Sequence, residues 1–148
     1  MEMLYWIEDS ALALWVGESL WGYPFLLSLH VVGLAVIVGI VVMLDLRLLG
    51  LFKALRVESF LPLMKFAWTG FVINAVSGAL LFTSQASFFV TNVPFLLKIS
   101  LIFAGAVITG ILKHKIRNSK GASCRALAVV SLVAWIGAIV NGRLIAYL

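Results

Sequence analysis

The sequence predicts an all-α integral membrane protein: a four-helix up-down-up-down bundle preceded by a helix in the membrane interface. Three observations predict it. Hydrophobic residues make up 64% of the 148 residues and charged residues 11%, with a mean hydropathy of +1.15. Too few polar side chains remain to cover a water-soluble domain of this size. Four apolar runs are long enough to cross a bilayer, which takes about 20 residues. The basic residues also cluster in two loops between those runs.

The N-terminal residues 3–20 are apolar but interrupted by Glu8, Asp9 and Glu18. Acids are costly in a bilayer core, whereas Trp6, Trp15 and Trp21 suit its edge. The segment therefore reads as a helix lying in the outer interface, turning at Gly22-Tyr23-Pro24. The first span covers residues 23–44. It starts late, is long, and follows acidic rather than basic residues, unlike a cleaved signal peptide. Residues Gly50 to Met64 mix apolar and basic side chains and read as a second interfacial helix. The remaining spans cover residues 66–82, 95–112 and 126–147. Pro62 and Pro94 fall near span starts, where a missing N–H is harmless. Ser119 to Ser123 reads as a short hairpin loop. The whole chain, residues 1–148, is one membrane domain without a linker.

Charge sets the expected orientation. Nine of the eleven basic residues lie in two stretches, Asp45 to Lys65 and Lys113 to Arg125. By the positive-inside rule both loops are cytoplasmic and both termini face outward, which is periplasmic in a bacterial inner membrane. These charges flank spans and lack an aromatic platform, so they suit anionic headgroups of the lipid bilayer and not nucleic acid. The single cysteine, Cys124, excludes a disulfide within the chain and a thiolate metal cluster.

Each span has a readable stripe. Tyr23, His30 and Ile37 align on the first, with Gly33 and Leu34 beside them. Ala67, Gly70, Asn74, Ser77, Gly78 and Gln85 align on the second, Lys98, Gly105 and Thr109 on the third, and Ala134, Gly137 and Asn141 on the fourth. Small and weakly polar stripes are what membrane helices use to approach closely.

His30 carries the most information. An imidazole inside an apolar run is costly without a partner, so it is either interhelical glue or a metal ligand, such as a haem ligand. At 1.5 Å per residue it lies ~10 Å into its span, and Lys98 ~6 Å into the third. Arg143 closes the fourth at the same outer side. Lys98 either snorkels to the interface or joins His30, and Arg143 either pairs with an outer acid such as Glu18 or holds an anionic cofactor group. Gly33, one turn from His30, admits either a flat macrocycle or a neighbouring helix. His114, in KHKIR, is a membrane thickness away and suits a helix C-terminus. Asp45 is expected to pair with a base of the cytoplasmic layer, and Arg47 with headgroups.

The pattern resembles a family of small four-helix bacterial membrane proteins of unknown function. The resemblance covers nearly the whole chain: ESLWGYP, H-x-x-G, LDLRLLG, TGF, SGALLF, LLK and NGRLIAY. More distantly, His30 followed by Arg47 and Lys98 resembles the layout of HemJ-type protoporphyrinogen oxidases. That likeness implies a b-type haem with His30 and Lys98 as axial ligands. The chain departs from the HemJ pattern where AVIVGIVVML replaces a Trp-containing stretch of the first span.

The expectation is a protein binding haem b in its outer half through His30 and Lys98, with Tyr23, Gly33 and Arg143 around the group. It would pass electrons between a quinol-type carrier and an outer-face partner. The alternatives are a cofactor-free accessory subunit of a larger membrane complex and a porphyrinogen-oxidising enzyme. A small transporter ranks lower, because no broken span is evident. A homo-oligomer and a heteromeric membrane partner both remain open.

Overall fold

The computed structural model describes residues 1–118 and 124–148, and every regular element among them is helical. In chain order these are α1 (Glu2–Glu8), α2 (Ala11–Glu18), α3 (Gly22–Leu48), a 3-10 turn at Val57–Ser59, α4 (Phe60–Thr83), α5 (Ala86–Thr91), α6 (Val93–Arg117) and α7 (Cys124–Leu144). Four stretches are long and apolar enough to cross a membrane: α3, the turn with α4, α6, and α7. Between 17% and 33% of each apolar window is buried inside the protein. The rest is an apolar surface far larger than a water-soluble monomer exposes, and it suits lipid.

The ends of the elements follow local chemistry. The segment expected as one N-terminal helix is two, because Ser10 is extended. Its hydroxyl donates to Ile7 O at 2.7 Å and accepts from Ala13 N at 3.2 Å, ending α1 and capping α2. After α3, Gly50 takes φ +103° and Phe52 φ +52°, so residues 50–56 are irregular where a helix was expected. Arg47 Nε donates to Leu55 O and anchors this loop. Asn92 Oδ1 accepts from Phe95 N at 3.0 Å, and Pro94 sits in the first turn of α6. The short α5 has no counterpart in the sequence reading. Glu8 holds it, accepting from Ser87 N and Ser87 Oγ at 2.7 Å each. The Ser119–Ser123 hairpin lies outside the described residues.

Packing divides the long helices into two close pairs, α3 with α4 and α6 with α7, joined through α3 and α7. The first pair meets at glycines. A Cβ built on Gly33 would fall 2.8 Å from Gly70 O, and one on Gly70 would fall 2.8 Å from Gly33 O. No real side chain tolerates that approach, so the two backbones touch only because both residues are glycine. In the second pair Gly105 gives the space that Trp135 fills: a Cβ there would lie 2.9 Å from the indole. Trp135 is 1% exposed, and its Nε1–H donates to Thr109 Oγ1 at 3.4 Å. It belongs to the central cluster with Ile37, Val41 and Ala67, which ties α7 to α3 and α4. A second cluster of Leu44, Phe60 and Met64 fills one end, and Val16, Leu26 and Leu81 join α2 to the other. Phe82, Phe89 and Phe95 stack with centroids 5.0 to 6.2 Å apart, linking α4, α5 and α6.

Gly33→Ala is expected to lower stability by about 1–3 kcal/mol, the usual range for forcing atoms into a packed interface. Gly39→Ala, on the same helix with nothing within 4 Å of its Cβ position, is expected to leave stability within about 0.5 kcal/mol. Reversible unfolding of the detergent-solubilised protein compares the two; equal losses would refute the contact.

Candidate functional site around His30 and Lys98

His30 lies on α3 facing α4. Its Nδ1 is 2.9 Å from Asn74 O and 3.2 Å from Ser77 Oγ. A carbonyl can only accept, so Nδ1 carries the proton. Ser77 Oγ can also accept there, because its own proton goes to Ile73 O at 2.6 Å. The neutral ring is thereby fixed as the Nδ1–H tautomer, with the lone pair on Nε2. No hydrogen bond to Nε2 occurs among the described residues. Asn74 completes a reciprocal clasp, its Nδ2 donating to His30 O at 2.9 Å. Gly78 makes room for the ring: a Cβ there would lie 2.9 Å from His30 Cε1.

Lys98, near the start of α6, approaches closely enough for its charge to act on the His30 ring. It is half-buried and has neither a hydrogen bond nor an ion pair among the described residues. Gly142 of α7 leaves the space along which it runs, since a Cβ there would sit 3.3 Å from Lys98 Nζ. The fold thus brings together His30 and Lys98, which are 68 positions apart in the sequence. Gly142 was not singled out in the sequence, because one glycine beside NGR gives no sign that a lysine from another helix crosses it.

The other expected residues sit differently. The face of α3 at Gly33 is covered by α4 at Gly70 and Asn74, so this glycine serves helix approach. Tyr23 is 37% exposed at the start of α3. Arg143 is exposed in the last turn of α7 and makes no ion pair with Glu18. The ion pair among the described residues is Arg56–Glu58, at 3.9 Å. His114 is exposed at the end of α6 with Asn118 Nδ2 3.0 Å from its Nε2. Asp45, expected to pair with a base, is instead fully buried without one.

The donors limit what the site can hold. No group of three His, Cys, Asp or Glu side chains that could hold a metal ion occurs among the described residues. A bare zinc or iron ion takes three or four protein donors, whereas a macrocycle supplies four nitrogens and asks for one or two axial ligands. An imidazole with a free Nε2 whose Nδ1–H is held by a backbone carbonyl is the usual arrangement of a ligating histidine.

Gly78→Val is expected to push the ring off Asn74 O and abolish the fixed tautomer. Nitrogen NMR of histidine-labelled protein reads this directly: two resolved signals for a neutral Nδ1–H ring in the original, tautomer averaging in the variant. An Nε2–H ring in the unmodified protein would refute the assignment.

Comparison with protein-family models, with curated proteins and with solved structures gives no match.

Proposed function

We propose that this chain is a bacterial inner-membrane protein that binds one b-type haem between His30 and Lys98. It would pass electrons between a quinol-type carrier and a partner at the outer face. One observation carries the reading: the Nδ1–H of His30 is held by Asn74 O, which leaves the lone pair on Nε2, with no hydrogen bond to it among the described residues. The residues suit the group. Among the described residues His30 Nε2 and Lys98 Nζ have no hydrogen-bond partner, Gly78 and Gly142 present bare backbone to the imidazole ring and the lysine side chain, and Arg143, on the helix that Lys98 crosses, makes no ion pair. When bound, haem supplies one-electron chemistry at a potential set by its ligands and surroundings. The chain's part is to hold the imidazole in one orientation through Asn74 and Ser77 and to close α4 against α3.

The contact pairs Gly33–Gly70, His30–Asn74, Lys98–Gly142 and Thr109–Trp135 support an up-down-up-down arrangement. With the basic loops cytoplasmic, α1 and α2 lie in the outer interface with Trp6, Trp15 and Trp21 exposed.

A second reading has its own observation. The mutual hydrogen bonds of His30 and Asn74 satisfy both residues as interhelical glue without any cofactor. The chain is then an accessory subunit of a larger membrane complex.

The visible spectrum of protein made with ample haem separates the two. A Soret band is expected in the original protein and its loss in His30→Ala, with membrane insertion unchanged. Lys98→Ala is expected to retain haem with a shifted spectrum and new affinity for small ligands. An original protein without Soret absorbance would end the haem reading and leave the glue.

Sidedness has a separate check. Cys124 is fully buried and cannot report it. In a Cys124→Ala background, Lys53→Cys in the first basic loop is expected to resist an impermeant thiol reagent in intact cells and to react after lysis. Reaction in intact cells would invert the topology.

A further inference from the structure

Asp45 sits in the last turns of α3 and is 0% exposed. Neither of its carboxyl oxygens has a hydrogen-bond partner, and the only other buried side-chain atom in that condition among the described residues is Ser131 Oγ. These two residues face each other across α3 and α7. Ser131 is unusual among the hydroxyls of the long helices. Ser28, Thr69, Ser77, Ser100 and Thr109 each return their proton to the carbonyl four residues earlier, at 2.6 to 2.9 Å. Ser131 does not, and its hydroxyl is left for Asp45.

Among the described residues no base forms an ion pair with Asp45. The buried neighbours of Ser131 along α7 are Ala128, Ala134 and Trp135, and α4 presents Phe60 and Met64 at this end. On α6 the buried position is Leu112, with Ile116 packed on the same end cluster. Cys124, the other titratable group buried here, has a contact of its own. Arg47 is turned to Leu55 O, and no base pairs with Asp45 among the described residues. An isolated carboxylate enclosed this way costs many kcal/mol, and the carbonyl-rich end of α3 opposes negative charge as well. A neutral acid beside a hydroxyl avoids both costs.

We infer that Asp45 and Ser131 form an enclosed proton-binding site between α3 and α7, in which the aspartyl group is held as the carboxylic acid, hydrogen-bonded to the serine hydroxyl. Uptake adds one proton to one carboxylate oxygen; release returns it and leaves an ion that the enclosure does not stabilise. The ligand is a proton, and the site stands whether or not His30 binds haem.

The chain has two aspartates, Asp9 and Asp45, so isotope labelling isolates the group. In protein carrying carboxyl-labelled aspartate and Asp9→Asn at the exposed position, infrared absorption at neutral pH is expected to show the labelled carbonyl stretch of a carboxylic acid, shifting in heavy water. Ser131→Ala should move that band to higher frequency, and Asp45→Asn should remove it. Because Asp9→Asn leaves the site itself intact, its spectrum stands even where a core variant fails to fold. A labelled carboxylate band in place of the acid band would overturn the proposal, and an acid band insensitive to Ser131→Ala would overturn the pairing.

Discussion

The direct contact of two backbones at Gly33 and Gly70 sets the geometry on which the candidate site depends. A Cβ on either glycine would lie 2.8 Å from the other's carbonyl oxygen, closer than a side chain can sit. At that close approach the His30 ring reaches Asn74 O from α3, and Asn74 Nδ2 reaches back to His30 O. Interhelical hydrogen bonds in a bilayer contribute about 0.6 kcal/mol each on average. The clasp alone is therefore modest, and close packing of the glycine faces is what makes it geometrically available. Farther along the same inward stripe of α3, Ile37 and Val41 pack with Ala67 of α4 and Trp135 of α7, so one helix contacts both halves of the protein.

Polar groups inside the helices sort by whether the chain satisfies them. Asn74, Ser77, Thr109 and the indole of Trp135 all find partners within or between helices. Burial without a partner is the rarer condition, because each unmade hydrogen bond costs about 1–3 kcal/mol. It falls at Asp45 and Ser131. Near the other end of α3, the Nε2 edge of His30 and the half-buried amine of Lys98 also have no hydrogen-bond partner among the described residues. Among the described residues, the unpartnered polar groups noted here lie toward the two ends of α3.

How much was legible beforehand follows the range of each interaction. The four long helices were, because twenty apolar residues in a row have few other uses. Their lengths were less so. At 1.5 Å per residue the 27 residues of α3 span ~40 Å, more than a hydrocarbon core of about 30 Å, because hydropathy stops at Asp45 while the helix runs on to Leu48. The stripe Gly70, Asn74, Ser77 and Gly78 was visible as a small-residue face, but its partner on α3 was not. Pairing between helices is decided by shape across dozens of residues. The break at Ser10 was in principle readable as an N-cap, and the long apolar pattern around it outweighed the signal. Glu8 capping α5 and Ser131 facing Asp45 join residues 79 and 86 positions apart and leave no local trace.

Asp45 shows why a sequence position alone misassigns a charge. Two positions before Arg47 and three before the end of the helix, it reads as the first polar residue outside the membrane. Helical geometry places it differently. Val41, Leu44 and Asp45 are spaced three and four apart on the inward face, all at 0% exposure, while Arg47 is turned round the helix to the loop. His30 and Asp45 are fifteen positions apart, ~22 Å along α3. His30 bonds to α4, whereas the hydroxyl inferred to pair with Asp45 belongs to Ser131 of α7. Any shift of α3 against either neighbour would alter one polar contact while the Gly33–Gly70 and Trp135 packing between them resists it. The packed middle of α3 thus separates the surroundings of His30 from those of Asp45.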